Sequence, residues 1–138
     1  MLMTAVFLDA NVFFYAAGAE HPLREPAQQV IQKVAAGELV ATTSTEILQE
    51  ILFVMQRRGQ ADLGLQLVRN TVSLFPDLLS VTRNDMLIAC DLLERYPRIR
   101  TRDAVHAATM LNNGLDSIVS ADGHFDEIEG IRRIPMAS

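Results

Sequence analysis

The segment AVFLDANVFFY, residues 5–15, decides the fold and raises the question of function. Its apolar beginning is typical of a short strand that is covered on both faces of a sheet, and we predict this strand over residues 4–8. Asp9 then interrupts the apolar pattern, and Asn11 follows inside a predicted short helix over residues 10–17. A carboxylate directly after a buried strand lies at the sheet edge where α/β proteins bind ligands.

The rest of the chain alternates between helical patterns and short apolar runs. Further strands are predicted over residues 39–41, 78–81, 117–119 and 131–134. Helices are predicted from near Pro22 or Pro26 to about Ala36, within 42–59 with Thr43 or Ser44 as its cap, and over 61–75, 84–96 and 102–113. Strands that alternate with helices predict βαβ units, and therefore an α/β fold with a parallel sheet and helices on both faces.

Size and composition favour a single globular domain over residues 1–138. The chain is 49% hydrophobic, which suits a substantial core. Its apolar runs are far shorter than the roughly 20 residues of a membrane span, and no cationic segment precedes the first one, so we expect neither membrane insertion nor a signal peptide. The single cysteine, Cys90, cannot form an internal disulfide; we expect it to be buried, and we expect the protein to be cytoplasmic.

Five acidic residues stand where a predicted strand ends or a predicted helix begins. Most other acids of the chain, including Asp85, are expected to face solvent. The five residues are Asp9, Glu46, Asp103, Asp122 and Asp126. Each has a simpler explanation as a helix cap, a first-turn charge or a turn residue. Together they predict one acidic pocket, which could stay ionised only with cations bound. Oxygen ligands favour Mg²⁺ or Mn²⁺, and a packing role is expected for His106.

Four segments, in order, resemble the motifs of PIN-domain nucleases, specifically the VapC toxins of type II toxin–antitoxin systems. They are FLDANVFFY (7–15), TSTEILQEI (43–51), RTRDAVHAATML (100–111) and IVSADGHFDEIEGI (118–131). The third is the most specific match. The resemblance covers nearly the whole chain.

This resemblance implies a PIN-like three-layer α/β/α fold with a short, mostly parallel central sheet of four to five strands. It implies Mg²⁺- or Mn²⁺-dependent hydrolysis of RNA phosphodiesters by metal-activated water. Carried over by position, the metal-binding and catalytic acids would be Asp9, Glu46, Asp103 and Asp122, with Asp126 as a fifth ligand acting through water and Asn11 and Ser120 as polar supports. The family further implies a homodimer and a cognate VapB-type antitoxin that covers the acidic pocket.

The net charge of −5 argues against nucleic-acid binding when taken alone, because Lys and Arg supply most of that affinity. The five candidate acids account for this charge entirely, so the remainder of the chain is neutral. Arg98, Arg100 and Arg102 lead directly into Asp103. They could guide RNA phosphates to the metal, or they could belong to a solvated loop.

Other protein classes with acidic pockets fit less well. A receiver domain requires a lysine beyond a later strand, and a haloacid dehalogenase-type phosphatase requires a late lysine and an aspartate at the position of Asn11. The only lysine is Lys33, in the first long helix. Two alternatives stay open: a housekeeping PIN-domain nuclease of RNA processing, and a non-catalytic PIN-like module that binds RNA or protein.

Overall fold

Four short parallel strands lie at the centre of the molecule. The computed structural model describes residues 5–137, so the predictions for residue 4 and for the two ends of the 1–138 domain fall outside the described residues. The strands are β1 (Val6–Leu8), β2 (Ala41–Thr42), β3 (Ser117–Val119) and β4 (Arg132–Ile134). They pair in the order β2-β1-β3-β4, and all three pairings are parallel.

Helices flank this sheet in a three-layer α/β/α arrangement, which confirms the predicted fold class. The helices are α1 (Ala10–Ala17), α2 (Arg24–Ala35), α3 (Thr45–Arg57), α4 (Ala61–Leu74), α5 (Arg83–Arg95) and α6 (Thr101–Asn112), with a 3-10 helix at Gly123–Glu127. Ser44 caps α3, since its Oγ accepts a hydrogen bond from the backbone N–H of Ile47 at 3.4 Å. Within residues 5–137, none of the helices is long and apolar enough to cross a membrane.

The core is built around β1 and α6. Phe7 and Leu8 of β1 are fully buried between their neighbours β2 and β3, with Phe7 opposite Thr42 and Ile118. α6 is buried continuously from Asp103 to Met110, which is unusual for a helix that carries an aspartate and a histidine. The burial of α6 therefore places two ionisable side chains, Asp103 and His106, in the interior of the protein.

Several sequence predictions differ from the structure. The strand predicted over 78–81 consists of one bridge between Leu79 and Ser44. The backbone N–H of Leu79 donates to the carbonyl of Thr43, and its carbonyl accepts from the N–H of Thr45. Because α3 starts at Thr45, the chain around Ser44 is not extended long enough to pair with more of residues 78–81. The strand predicted over 39–41 lies at Ala41–Thr42 instead.

Two predictions of exposure on α5 were wrong. Cys90 is exposed rather than buried, because it lies on the solvent side of the helix. Asp85 is only 1% exposed rather than solvent-facing. It forms a capping box with Thr82 at the start of α5 and accepts a 2.6 Å hydrogen bond from Asn112 Nδ2 of α6. Packing of α5 on α6 thus buries an acid that its own helix would leave in water.

Candidate active site

Asp9 lies at the carboxyl end of β1 and is held by hydrogen bonds on both carboxylate oxygens. As the N-cap of α1, it accepts a 2.8 Å bond at Oδ1 from the backbone N–H of Ala10. Its Oδ2 accepts from Ser120 Oγ at 2.6 Å and from Asn11 Nδ2 at 3.3 Å. The side chain is therefore fixed at the sheet edge, and the residue is only 5% exposed.

Ser120 and Ala121, which follow β3, form further hydrogen bonds around Asp9 and Asn11. Ser120 Oγ accepts hydrogen bonds from the backbone N–H of Asp122 at 2.9 Å and from Asn11 Nδ2 at 3.2 Å. The backbone N–H of Ala121 donates to Asn11 Oδ1 at 3.4 Å. The two predicted polar supports, Asn11 and Ser120, thus connect Asp9 to the loop that carries Asp122.

Asp103, in the first turn of α6, is 4% exposed, and the negative charges of Asp9 and Asp122 act on its carboxyl group. Burial and the negative charges of Asp122 and Asp9 raise the pKa of Asp103 to about 6, against the opposing positive charges of His106 and Arg100. Its Oδ2 atom is buried and has no hydrogen-bond partner within residues 5–137. An unpartnered buried carboxylate oxygen is costly, so this atom is available for a ligand.

Burial also raises the pKa of Asp9, and the charge of Glu50 adds to this effect. The charge of His106 and the hydrogen bonds from Ser120 and Ala10 act in the opposite direction. Burial is thus the main reason that the pKa of each of these two acids is raised, and neighbouring negative charges add to it.

Glu50 of α3 and His106 of α6 lie beside Asp9, and we call Asp9, Glu50, His106 and Asp103 the acidic cluster. The sequence prediction did not include Glu50. Ligand atoms of Asp9, Glu50 and His106 all lie within 4.8 Å of one another. His106 is fully buried and donates from Nε2 to Glu50 Oε1 at 3.0 Å. Although burial lowers the pKa of His106, this hydrogen bond and the charges of Asp9, Glu50 and Asp103 outweigh burial and raise the pKa.

Glu46, the acid predicted from the second motif, lies one helical turn before Glu50 on α3. It is half-buried and lines a cavity that Glu50 also borders, but its carboxylate is not part of the group formed by Asp9, Glu50 and His106. The spacing of four residues puts both glutamates on one helix face, so the segment TEILQEI itself signals two candidates.

Asp126, the predicted fifth ligand, forms an ion pair. Arg133 of β4 donates to its two carboxylate oxygens at 3.0 and 3.2 Å, and the same guanidinium donates to the backbone carbonyl of Ser120 at 3.3 Å. The pair ties the 3-10 helix to the loop after β3. Metal ligation by Asp126 through water stays a prediction.

The three arginines before α6 occupy different surroundings. Arg98 is strongly exposed, with Nη1 3.9 Å from the carboxylate of Glu127. Arg100 and Arg102 border the same cavity as Glu50, and Arg102 Nη1 is 3.9 Å from Glu50 Oε2. Two of the three guanidinium groups therefore lie beside the acidic cluster.

The side chains present fit a hard divalent cation. Asp103 offers a buried oxygen without a partner within residues 5–137, Asp9 and Glu50 offer carboxylate oxygens within 4.8 Å of each other, and the charge of Asp122 acts on Asp103. The Nε2 atom of His106 is occupied by Glu50, and its Nδ1 is buried without a hydrogen-bond partner in the described part of the chain, so the carboxylates supply most of the free ligand atoms. Oxygen donors of this kind favour Mg²⁺ or Mn²⁺ over zinc or copper.

Comparisons with known proteins identify the family of this chain. Residues 6–131 match the PIN domain family model. The chain is 30% identical over 132 residues to ribonuclease VapC13 of Mycobacterium tuberculosis, covering 94% of this chain and 98% of the relative.

Solved structures agree on the fold. The Mycobacterium tuberculosis toxin VapC20, described as cleaving the sarcin-ricin loop, superposes with a TM-score of 0.74 at 19% identity, covering 88% of this chain and 93% of that one. The DNA-bound VapBC structure from Salmonella typhimurium gives a TM-score of 0.73 at 17% identity, covering 98% and 100%. The chain therefore belongs to the PIN-domain family, within its group of VapC proteins.

Proposed function

We propose that this protein is a Mg²⁺- or Mn²⁺-dependent endoribonuclease that hydrolyses RNA phosphodiesters. The observation that carries the proposal is the grouping of Asp9, Glu50 and His106, whose ligand atoms lie within 4.8 Å of one another, together with the buried Asp103 carboxylate oxygen that has no partner within residues 5–137. Membership of a family whose relative VapC13 is named a ribonuclease supports RNA as the substrate.

In this proposal the cation would be held by Asp9, Asp103, Asp122 and one glutamate of α3, and the contacts of Glu50 favour it over Glu46. A bound divalent cation supplies a water of lowered pKa and charge stabilisation at the phosphate. Ser120 and Asn11 keep Asp9 oriented, and His106 keeps Glu50 oriented. The guanidinium groups of Arg100 and Arg102 border the cavity beside Glu50, where they would attract substrate phosphates, and Arg98 adds a third, exposed guanidinium group in the same segment.

The test is cleavage of a structured RNA by the purified chain in Mg²⁺, in Mn²⁺ and in excess EDTA, beside Asp9→Asn and Asp103→Asn. We expect cleavage only with metal, and a loss of at least about 100-fold in each variant, since each substitution removes a charged ligand. Cleavage that persists in EDTA, or in both variants, would contradict the metal mechanism.

We further propose that the nuclease is the toxin of a toxin–antitoxin pair, active in the cytoplasm as a homodimer, with a VapB-type antitoxin covering the acidic pocket. The structural likeness to VapBC from Salmonella typhimurium supports the pairing. Induced expression should arrest growth, whereas Asp103→Asn should not. Co-expression of the short gene adjacent to this one should restore growth and yield a complex that co-purifies; failure of both would leave the housekeeping role as the better assignment.

A further inference from the structure

A cavity of about 480 Å³ opens directly beside the acidic cluster, between α3, α5 and the start of α6. Its volume lies within the range of pockets that hold small molecules or parts of larger ligands. Glu50 borders both the cavity and the cluster. A group bound in this cavity would therefore lie next to the phosphodiester that is cut at Asp9 and Asp103, or belong to the same RNA molecule.

The apolar part of the cavity includes two half-exposed side chains. Phe53 of α3 is 45% exposed and Met86 of α5 is 46% exposed, and they lie on different helices that face the same space. The guanidinium carbon of Arg57 lies 5.5 Å from the centroid of the Phe53 ring. An exposed ring beside a cation is suited to an aromatic ligand that also carries negative charge.

The polar part of the cavity combines two kinds of group. Arg100 and Arg102 provide positive charge on the α6 side, next to the acids of the cluster. Glu46 and Gln49 provide acceptors on the α3 side, one turn before and beside Glu50. Guanidinium groups suit a phosphate, whereas a carboxylate suits a ligand that presents N–H donors.

We propose that this cavity binds one unpaired nucleotide of the RNA substrate, next to the phosphate that is cut, and that Glu46 reads the edge of its base. The proposal rests on the proposed function and refines it. Phe53 provides the stacking surface, Arg100 and Arg102 contact the backbone, and Glu46 accepts hydrogen bonds from the base. Unpaired RNA bases are commonly recognised by this combination of stacking and edge contacts.

A carboxylate discriminates between bases because it can only accept hydrogen bonds. Guanine, adenine and cytosine each offer an amino group, whereas the Watson–Crick edge of uracil presents two carbonyl oxygens that flank a single N–H. Glu46 should therefore disfavour uracil at one position beside the cut. A good base-edge contact changes selectivity by about 5- to 150-fold.

The first experiment maps cleavage sites in a randomised RNA library with wild type, Glu46→Gln and Glu94→Gln in Mg²⁺. Wild type should show depletion of uracil at one fixed position, and Glu94→Gln, an exposed acid of α5, should match it. Glu46→Gln should lose the depletion, because an amide can also donate to a carbonyl oxygen. Its Mn²⁺ affinity, measured by calorimetry, should stay within about twofold of wild type.

The second experiment measures RNA binding in an Asp103→Asn background, so that it does not depend on cleavage. The Asp103→Asn protein, alone or with Phe53→Ala or Leu52→Ala as a second substitution, is titrated with ten-nucleotide RNAs that differ only in one central base. Leu52 is an exposed neighbour on α3 outside the cavity and serves as the matched control. Phe53→Ala should weaken binding about 5- to 150-fold, and Leu52→Ala should not.

Three results would overturn the proposal. An unchanged site distribution in Glu46→Gln would remove its role in reading the base. A large loss of Mn²⁺ affinity in Glu46→Gln would make Glu46 a metal ligand instead. Equal RNA binding by Phe53→Ala and Leu52→Ala would mean that the cavity serves another partner, such as the antitoxin. Absence of cleavage by wild type would contradict the proposed function alone, since the binding experiment would still report on the cavity.

Discussion

Ser120 Oγ donates a 2.6 Å hydrogen bond to Asp9 Oδ2 across a sequence separation of 111 residues. The pairing of β1 with β3 makes this contact possible, because Leu8 lies opposite Val119 and each strand ends there. The same hydroxyl accepts the backbone N–H of Asp122. One buried serine therefore positions two acids of the candidate metal site.

Replacement of Ser120 by alanine should destabilise the protein by about 1–3 kcal/mol, because Asp9 loses a hydrogen bond and the N–H of Asp122 loses its acceptor. Cleavage should fall about 10-fold or more through misplacement of Asp9. Urea unfolding and single-turnover cleavage measure the two effects. Ser73→Ala removes an exposed hydroxyl of α4 that bonds only to the backbone carbonyl of Arg69, and should change stability by less than about 0.5 kcal/mol. Equal behaviour of the two variants would contradict the positioning role.

Asp103 should make the metal-free protein less stable as the pH rises. Its pKa is about 6 in the folded protein, against an ordinary value of 3.8, so the folded state binds the proton more tightly than the unfolded chain. Stability is then lost as the pH rises from about 4 to about 6, and the loss is complete above that range. It amounts to about 1–3 kcal/mol, where the lower figure allows for screening by solvent.

Asp103→Asn removes this titration. In EDTA, the unfolding free energy of the variant minus that of wild type should increase by about 1–3 kcal/mol between pH 4 and pH 7. Asp91→Asn, at an exposed acid of α5, serves as the matched control. A flat profile for Asp103→Asn would contradict the raised pKa that burial and the charges of Asp122 and Asp9 give to Asp103. Added Mn²⁺ should stabilise wild type and not Asp103→Asn.

His106 should act on the metal site through its hydrogen bond to Glu50. His106→Leu leaves Glu50 Oε1 without its donor and so frees Glu50 from its position, and Mn²⁺ affinity should fall about 10- to 100-fold. His106→Gln places an amide donor at a similar reach and should retain more of the affinity. Calorimetric titration compares them; identical affinities of the two variants would mean that His106 only fills space.

The parts of the fold that the sequence predicted best are those determined by local pattern. The apolar run before Asp9 and the strand at residues 117–119 needed no long-range information, because each is bounded by polar residues that end it. The strand predicted over 78–81 failed for the opposite reason. Its pairing depends on how far the neighbouring chain stays extended, and α3 begins one residue after Ser44.

The candidate site shows the same division. Asp9, Asp103 and Asp122 stood out because they follow strands or begin helices, and the charges of Asp9 and Asp122 both act on the carboxyl group of Asp103. Their role as metal ligands stays a prediction. Glu46 and Glu50 share one face of α3, so their spacing could not decide which one approaches Asp9. The packing of α3 against α6 decides it, through the contact of Glu50 with His106.

Asp85 offers a test of stability that is separate from the active site. Its carboxylate accepts hydrogen bonds from the backbone N–H of Thr82 at 2.9 Å and from Asn112 Nδ2 at 2.6 Å. Thr109 Oγ1 lies at 3.4 Å from the same carboxylate. Asp85→Ala removes half of the capping box, the bond from Asn112 and the buried carboxylate itself, so it should cost about 2–4 kcal/mol of unfolding free energy.

Asp91→Ala provides the matched control, because Asp91 lies on the same helix but is exposed; it should cost less than about 0.5 kcal/mol. Urea unfolding monitored by circular dichroism measures both variants. The folded fraction of Asp85→Ala should bind Mn²⁺ within about twofold of wild type, since Asp85 contacts none of the candidate ligands. A small cost for Asp85→Ala would mean that water replaces the lost acceptor, and a large loss of Mn²⁺ affinity would mean that the junction between α5 and α6 also positions Asp103.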